Sequence, residues 1–284
     1  MDRRAELLAA IFAEPDADAP RWVYADHLMS IGDPRGEFIA LQLREVDNDR
    51  QRELLAAHWD AWSAPAGERL FFERGFCPWW GAPAAVLAER AAAVFACEPI
   101  VAIEVTREGR HASIAGLLAR PELTRIRALS VGGWTLLPTD LAALAACEAL
   151  AELEELNISG LGSASRAHAP YAPLLAAPTW RPRRFAARTT DASIAGSIAA
   201  SPIAATLEHL DLSGTRLDNI GPLIARLARV THLLLERCRL EVDAATALVA
   251  APLTKLELLD VRGNRFSPDA RAKLAERFGD RVLM

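Results

Sequence analysis

The sequence predicts an α/β solenoid: a parallel β-sheet along one side, helices along the other, and a separate helical cap in front. Three observations carry this. An eleven-residue apolar pattern returns in register through the last two thirds of the chain. Apolar residues at helical spacing fill the intervals between its copies. The first 64 residues lack the pattern and read instead as helices with caps and breaks. The organisation expected is a helical cap over 1–64 and a solenoid over 65–284.

In the cap, Ala5 to Ala13 is helical, with Leu7, Leu8, Ile11 and Phe12 as its apolar face, and Glu14-Pro15-Asp16 ends it. A second helix starts at Pro20 and runs to about Ile31, placing Tyr24, Leu28 and Ile31 on one side. Gly32 suits its stop, Asp33 the next N-cap, and Pro34 the first position of a third helix. Glu37 lies near the positive end of that helix, and Phe38 and Leu41 pack inward. Asp47 to Asp49 loosens the chain before a fourth helix, roughly Arg50 to Trp62.

Next, Leu70 to Trp80 reads as an irregular first strand, followed by a helix from Pro83 to Cys97, with Trp79 and Trp80 sealing the junction. Three segments then align: LEHLDLSGTRL from Leu207, VTHLLLERCRL from Val230 and LELLDVRGNRF from Leu256. Their ninth position holds Thr215, Cys238 and Asn264, and their eleventh Leu217, Leu240 and Phe266. Weaker copies start at Ile100, Ile126, Leu153 and Pro182, so the interval stays between 23 and 29 residues. Helical patterns lie between the strands at Leu141 to Leu150, Ile220 to Val230 and Ala245 to Leu253. One such unit cannot bury its own apolar face, whereas a stack shares a continuous core. At the far end Ser267 and Pro268 start a covering helix, Gly279 stops it, and Arg281 to Met284 adds an edge strand.

The aligned segments fit L-x-x-L-x-L-x-x-N/C/T-x-L and resemble the leucine-rich repeat family over about residues 100–266. The stretch VYADHLMSIGDPRGEFIALQ resembles the bacterial repeat-companion module found ahead of such repeats. It departs from that pattern at His27, where tryptophan is common, and at Met29. These resemblances imply a leucine-rich repeat solenoid with a concave sheet. Neither implies a set of catalytic residues.

Composition narrows the function classes. A net charge of −5 without a basic block lacks the footprint of a nucleic-acid binder, and the four arginines between Arg181 and Arg188 are too few for a phosphate track. No apolar run approaches the roughly 18 residues of a membrane span. The start, MDRRAELLAAIFAEPD, does not read as a signal peptide. Cys77, Cys97, Cys147 and Cys238 show neither CxxC spacing nor nearby paired histidines, so they read as buried thiols of a cytoplasmic protein. No cofactor or metal is expected. His209, His232 and Glu236 fall short of a closed ligand set.

Asp26, His27, Arg35 and Glu37 raise the question of an active site. Adjacent helical residues point about 100° apart, so Asp26 and His27 are no natural couple. Asp26 and Arg35 read instead as an ion pair pinning the hairpin, with Gly32, Asp33 and Pro34 in structural roles. An enzyme with a site at the cap is the remote alternative. The expected functional surface is the outward face of the sheet: Arg184, Arg188, His209, Asp211, His232, Leu234, Glu236, Leu258, Asp260 and Arg262. It would bind a protein partner through charge-assisted bonds and apolar contact. An alternative follows from the resemblance: regulation of a partner enzyme, such as a signalling or defence protease. The insert Ser159 to Pro173, rich in Gly, Ser and Pro, is a further candidate for partner contact.

Overall fold

The computed structural model describes residues 2–45, 49–106, 113–131, 138–159, 171–176, 178–189 and 191–284. Most of the Ser159 to Pro173 insert, and Asp47 and Asn48, lie outside the described residues. The chain forms two compact units, one of residues 1–81 and 86–103, the other of 82–85 and 104–284.

The first unit opens with α1 (Arg3–Ala13), α2 (Ala19–Ser30), α3 (Pro34–Leu43) and α4 (Asp49–Ser63). Asp2 caps α1 by accepting from the Arg4 N–H, and Asp33 caps α3 by accepting from the Arg35 N–H. Gly32 ends the α2 turn at φ +77°, where a side chain would be strained. Leu7, Ile11, Tyr24, Ala25, Leu28, Ile39, Ala40 and Phe76 form the buried core here. Ile31 does not join it and is 59% exposed. The helix stops at Ser30, so Ile31 has left the helical path that would have aimed it inward. A Cβ on Gly36 would stand 2.6 Å from the Ala25 carbonyl and 2.7 Å from the Met29 nitrogen, which shows how closely α3 approaches α2.

The segment expected as a strand from Leu70 is a turn instead. Glu73 and Phe76 exchange backbone hydrogen bonds around Arg74 and Gly75, both at positive φ, and the strand β1 covers only Trp79–Pro83. Along β1 the side chains alternate, so Trp80 is buried while Trp79 is 43% exposed. Then come α5 (Ala84–Phe95) and β2 (Ala102–Thr106).

From there each repeat supplies a strand and a helical turn: α6 (Ala115–Leu118), β3 (Ala128–Val131), α7 (Pro138–Ala145), β4 (Glu155–Asn157), α8 (Tyr171–Ala176), β5 (Arg184–Ala186), α9 (Ile194–Ala200), β6 (His209–Asp211), α10 (Gly221–Ile224), β7 (His232–Leu234), α11 (Val242–Ala250) and β8 (Leu258–Asp260). The cap helix α12 (Pro268–Phe278) and the strand β9 (Val282–Leu283) close the series. The sheet runs β1 to β9 in chain order, and β3 to β9 pair parallel. Leu129, Leu156, Phe185, Leu210, Leu233 and Leu259 stand side by side in register, all buried, as one apolar row inside the stack.

The ninth template position bonds across repeats. Asn264 accepts from the Cys238 and Leu240 N–H groups and donates to the Leu235 and Val261 carbonyls. Thr215 accepts from Thr189 N–H and donates to the Ala187 carbonyl, and the Cys238 thiol reaches the Leu212 carbonyl. These side chains satisfy buried turn backbone that no strand partner reaches. The fold is a leucine-rich repeat solenoid.

Helices between the strands are shorter than their apolar spacing implies. Ile220 to Val230 gives only α10, because Arg226 and Leu227 close with tighter bonds to Leu223 and Ile224. Leu141 to Leu150 divides into α7 and a 3₁₀ turn at Glu148–Leu150. The closing helix follows its signals: the Ser267 side chain accepts from the Ala270 N–H, Pro268 occupies the first turn, and Gly279 ends it at φ +57°.

Candidate functional site

The outward face of the sheet is built by alternation. In β6 and β7 the middle residue is buried and its neighbours are half-buried, so the first and third residues of each strand face outward. Register aligns them into columns. One holds Arg184, His209, His232 and Leu258; the next holds Ala186, Asp211, Leu234 and Asp260. Arg188, Glu236 and Arg262 follow two residues beyond β5, β7 and β8.

Charges on this face are partly consumed internally. Arg262 grips Asp260 with two nitrogens, Nε at 3.0 Å from Oδ1 and Nη2 at 2.6 Å from Oδ2. That hydrogen bonding holds the Asp260 carboxyl below the usual aspartate range, and the residue is buried. Glu236 lies 3.3 Å from Arg237 and 3.9 Å from Arg262, and Arg184 lies 3.6 Å from Glu155. Arg188 is exposed and has no carboxylate partner among the described residues. Its Nε would be 2.9 Å from a Cβ on Gly214, so the absence of a side chain there lets the guanidinium lie over the next repeat. His209 and His232 stack, ring centroids 5.5 Å apart. Burial, then the neighbouring His232, lowers the His209 pKa.

The cluster at the N-terminus is arranged differently from the expectation. Asp26 is exposed and is not the partner of Arg35, because Arg35 turns inward to Glu98, 2.6 Å away. Arg35 also donates to the Gly75 carbonyl and lies over the rings of Phe76, Phe72 and Trp62 at 5.0, 5.3 and 5.8 Å. Glu98 accepts a second bond from the Cys77 N–H at 2.8 Å. Burial pushes the Glu98 carboxyl up, against the pull of the guanidinium. Gly32, Asp33 and Pro34 stand where the motif predicts, while Glu37 pairs with Arg50 through two bonds. Asp26, His27, Arg35 and Glu37 thus face separate surroundings. A cavity of about 350 Å³ in this unit is lined by Asp60, Ser63, Ala64, Gly67, Glu68 and Arg69, none of them from that cluster.

Sequence reasoning missed Glu98, which carries no local signal. It also missed a cleft of about 350 Å³ beside the loops after β6 to β8, lined by Arg216, Arg239, Arg265, Asp218, Glu241 and Asp243. The signal was present: arginine recurs at the tenth template position in T-R-L, C-R-L and N-R-F. Arg216 pairs with Asp218 at 3.2 Å and Arg265 with Glu241 at 3.8 Å. Among the described residues no group of three or more His, Cys, Asp or Glu side chains could hold a metal ion. Burial pushes the Cys77 and Cys238 thiols to about 12. No helix among the described residues is long and apolar enough to cross a membrane.

No protein-family model and no curated protein matches the sequence. Solved structures do. An internalin from Listeria monocytogenes is 15% identical, with a TM-score of 0.44, over 68% of this chain and 50% of its own. The chain therefore spans half the length of that protein. Internalin C2 of the same species is 16% identical, with a TM-score of 0.43, over 80% of this chain and 91% of its own. A leucine-rich repeat protein from Leptospira interrogans is 14% identical, with a TM-score of 0.31, over 68% of this chain and 39% of its own.

Proposed function

We propose that the chain is a non-enzymatic protein-interaction module that binds a protein partner through the outward face of its sheet. The observation that carries this is Arg188, an exposed cation with no carboxylate partner among the described residues, on the same face as the half-buried Leu234 and Leu258. Such a surface offers a charge to be matched and apolar area to be covered. Glu236, held by Arg237 and Arg262, and Arg262, held by Asp260 and Glu236, can exchange those contacts for a partner's. The N-terminal unit, read as a repeat-companion domain, serves in this proposal as a folded cap, with Asp33, Pro34 and Arg35 in structural roles.

The test uses a partner recovered by cross-linking and co-purification. Reversing Arg188→Glu, Glu236→Lys and Arg262→Glu should weaken its binding at least about tenfold, the scale of losing one or two central contacts. Reversing Arg277→Glu on α12 should leave it unchanged. Full binding by the triple variant would sink the proposal for this face. Assaying an enzymatic partner with and without the chain then decides between regulation and scaffolding.

A further inference from the structure

The cleft beside the loops after β6, β7 and β8 has a charge pattern of its own. The tenth template position puts a guanidinium in each loop, from Arg216, Arg239 and Arg265. Asp218, Glu241 and Asp243 bring carboxylates to the same cleft. Most of these groups pair off. Arg216 holds Asp218 at 3.2 Å, and Arg265 reaches back one repeat to Glu241 at 3.8 Å. Arg239 and Asp243 remain, with no ion-pair partner among the described residues.

Arg239 also stands apart in its backbone. Its φ is +60°, whereas Arg216 and Arg265 stay out of the left-handed region. A residue with a Cβ is uncommon there, and such positions gather at ligand-holding turns. Asp243 lies in the first turn of α11, where the helix end favours a carboxylate but supplies no cation to bond it.

Guanidiniums and carboxylates balance across the cleft, and this decides what it can select. A bare anion would meet Asp218, Glu241 and Asp243 along with the arginines, and a bare cation would meet the reverse. The complement of one open guanidinium and one open carboxylate is a molecule that carries both signs. The volume of about 350 Å³ stands at the small end of ligand sites. Leu217 and Leu240 add apolar lining for a short hydrocarbon link.

We propose that this cleft binds a small zwitterion, a free amino acid or a short peptide, by its carboxylate at Arg239 and its ammonium at Asp243. The planar guanidinium takes the carboxylate through two parallel N–H···O bonds, and the ammonium donates to the Asp243 carboxylate. Arg216 and Arg265 keep their own partners and flank the bound molecule. The cleft shares no residue with the sheet face proposed to bind a protein, so the two readings stand or fall separately.

The test follows backbone amide NMR shifts of the full chain during titration with glycine and with glycylglycine. Sodium acetate and methylammonium chloride probe each half of the site alone. The tighter of the two zwitterions should give saturable shifts at residues 239–244, half complete at about 1 mM, an affinity within reach of so few atoms. Acetate and methylammonium should each bind at least about tenfold more weakly. Arg239→Asn keeps a residue that tolerates left-handed backbone, and it should weaken the zwitterion at least about tenfold without unfolding the chain. Asp243→Asn should do the same, and Arg277→Gln on α12 should change nothing. Three results overturn the inference: no saturable shift with either zwitterion, acetate binding as tightly as they do, or binding untouched by Arg239→Asn and Asp243→Asn.

Discussion

A guanidinium shut away from water needs its anion inside the protein, and Arg35 has Glu98. Removing one partner of such a pair strands the other. Glu98→Gln or Arg35→Ala should therefore destabilise the first unit by about 3–5 kcal/mol in denaturant unfolding. Asp26→Asn should change stability by no more than about 0.5 kcal/mol, the ordinary effect of a surface substitution. Parity between the two sets would contradict this assignment. The sequence shows half of the arrangement. Asp33 and Pro34 act on their nearest neighbours and can be read from spacing, whereas Glu98 comes 63 residues after Arg35 and announces itself through no motif. Histidine 209 adds a pH term of defined sign. Its folded-state pKa lies below the ordinary 6.5, so below that value the unfolded chain binds the extra proton first. The stability it contributes is complete above about pH 6.5 and is lost as pH falls through the folded-state value. Wild type should thus lose more stability between about pH 7 and about pH 5 than His209→Gln, as read from denaturation midpoints.

At the scale of elements, the ninth-position side chains join one repeat to the next. Asn264→Ala would leave the Cys238 and Leu240 N–H groups buried and unpaired, a loss of about 2–4 kcal/mol. Ser267→Ala removes only the cap of α12 and should cost about 1 kcal/mol. Thermal unfolding of the two variants checks the order; a larger loss from Ser267→Ala would show that the turn bonds matter less than their burial implies. These features were legible because a repeat restates itself. Even the degenerate copy at Pro182 becomes β5 in register, since its neighbours on both sides supply the ladder its own sequence signals poorly. The outer helices were less legible. An apolar residue every third or fourth position is satisfied equally by an α-turn or by a 3₁₀ turn, and periodicity does not separate them.

Across the whole molecule, the outward face was legible as columns because register follows from the repeat, but its pairings were not. Arg262 closing on Asp260 within its own repeat, and Arg188 left without a carboxylate among the described residues, depend on side-chain geometry that no template position specifies. The inner row behaves collectively too. Leu210→Ala should cost about 2–5 kcal/mol, and the loss of hydrogen-exchange protection should extend into β5 and β7 rather than stop at β6. Strictly sequential order in the sheet has a further consequence, for how such a gene changes length. Excising residues 207–229 joins Thr206 to Val230, the start of an equivalent segment, and brings Arg184, Phe185 and Ala186 alongside His232, Leu233 and Leu234. Recombination between misaligned copies can therefore lengthen or shorten the chain by a whole repeat, and each new seam is one the fold already knows how to make.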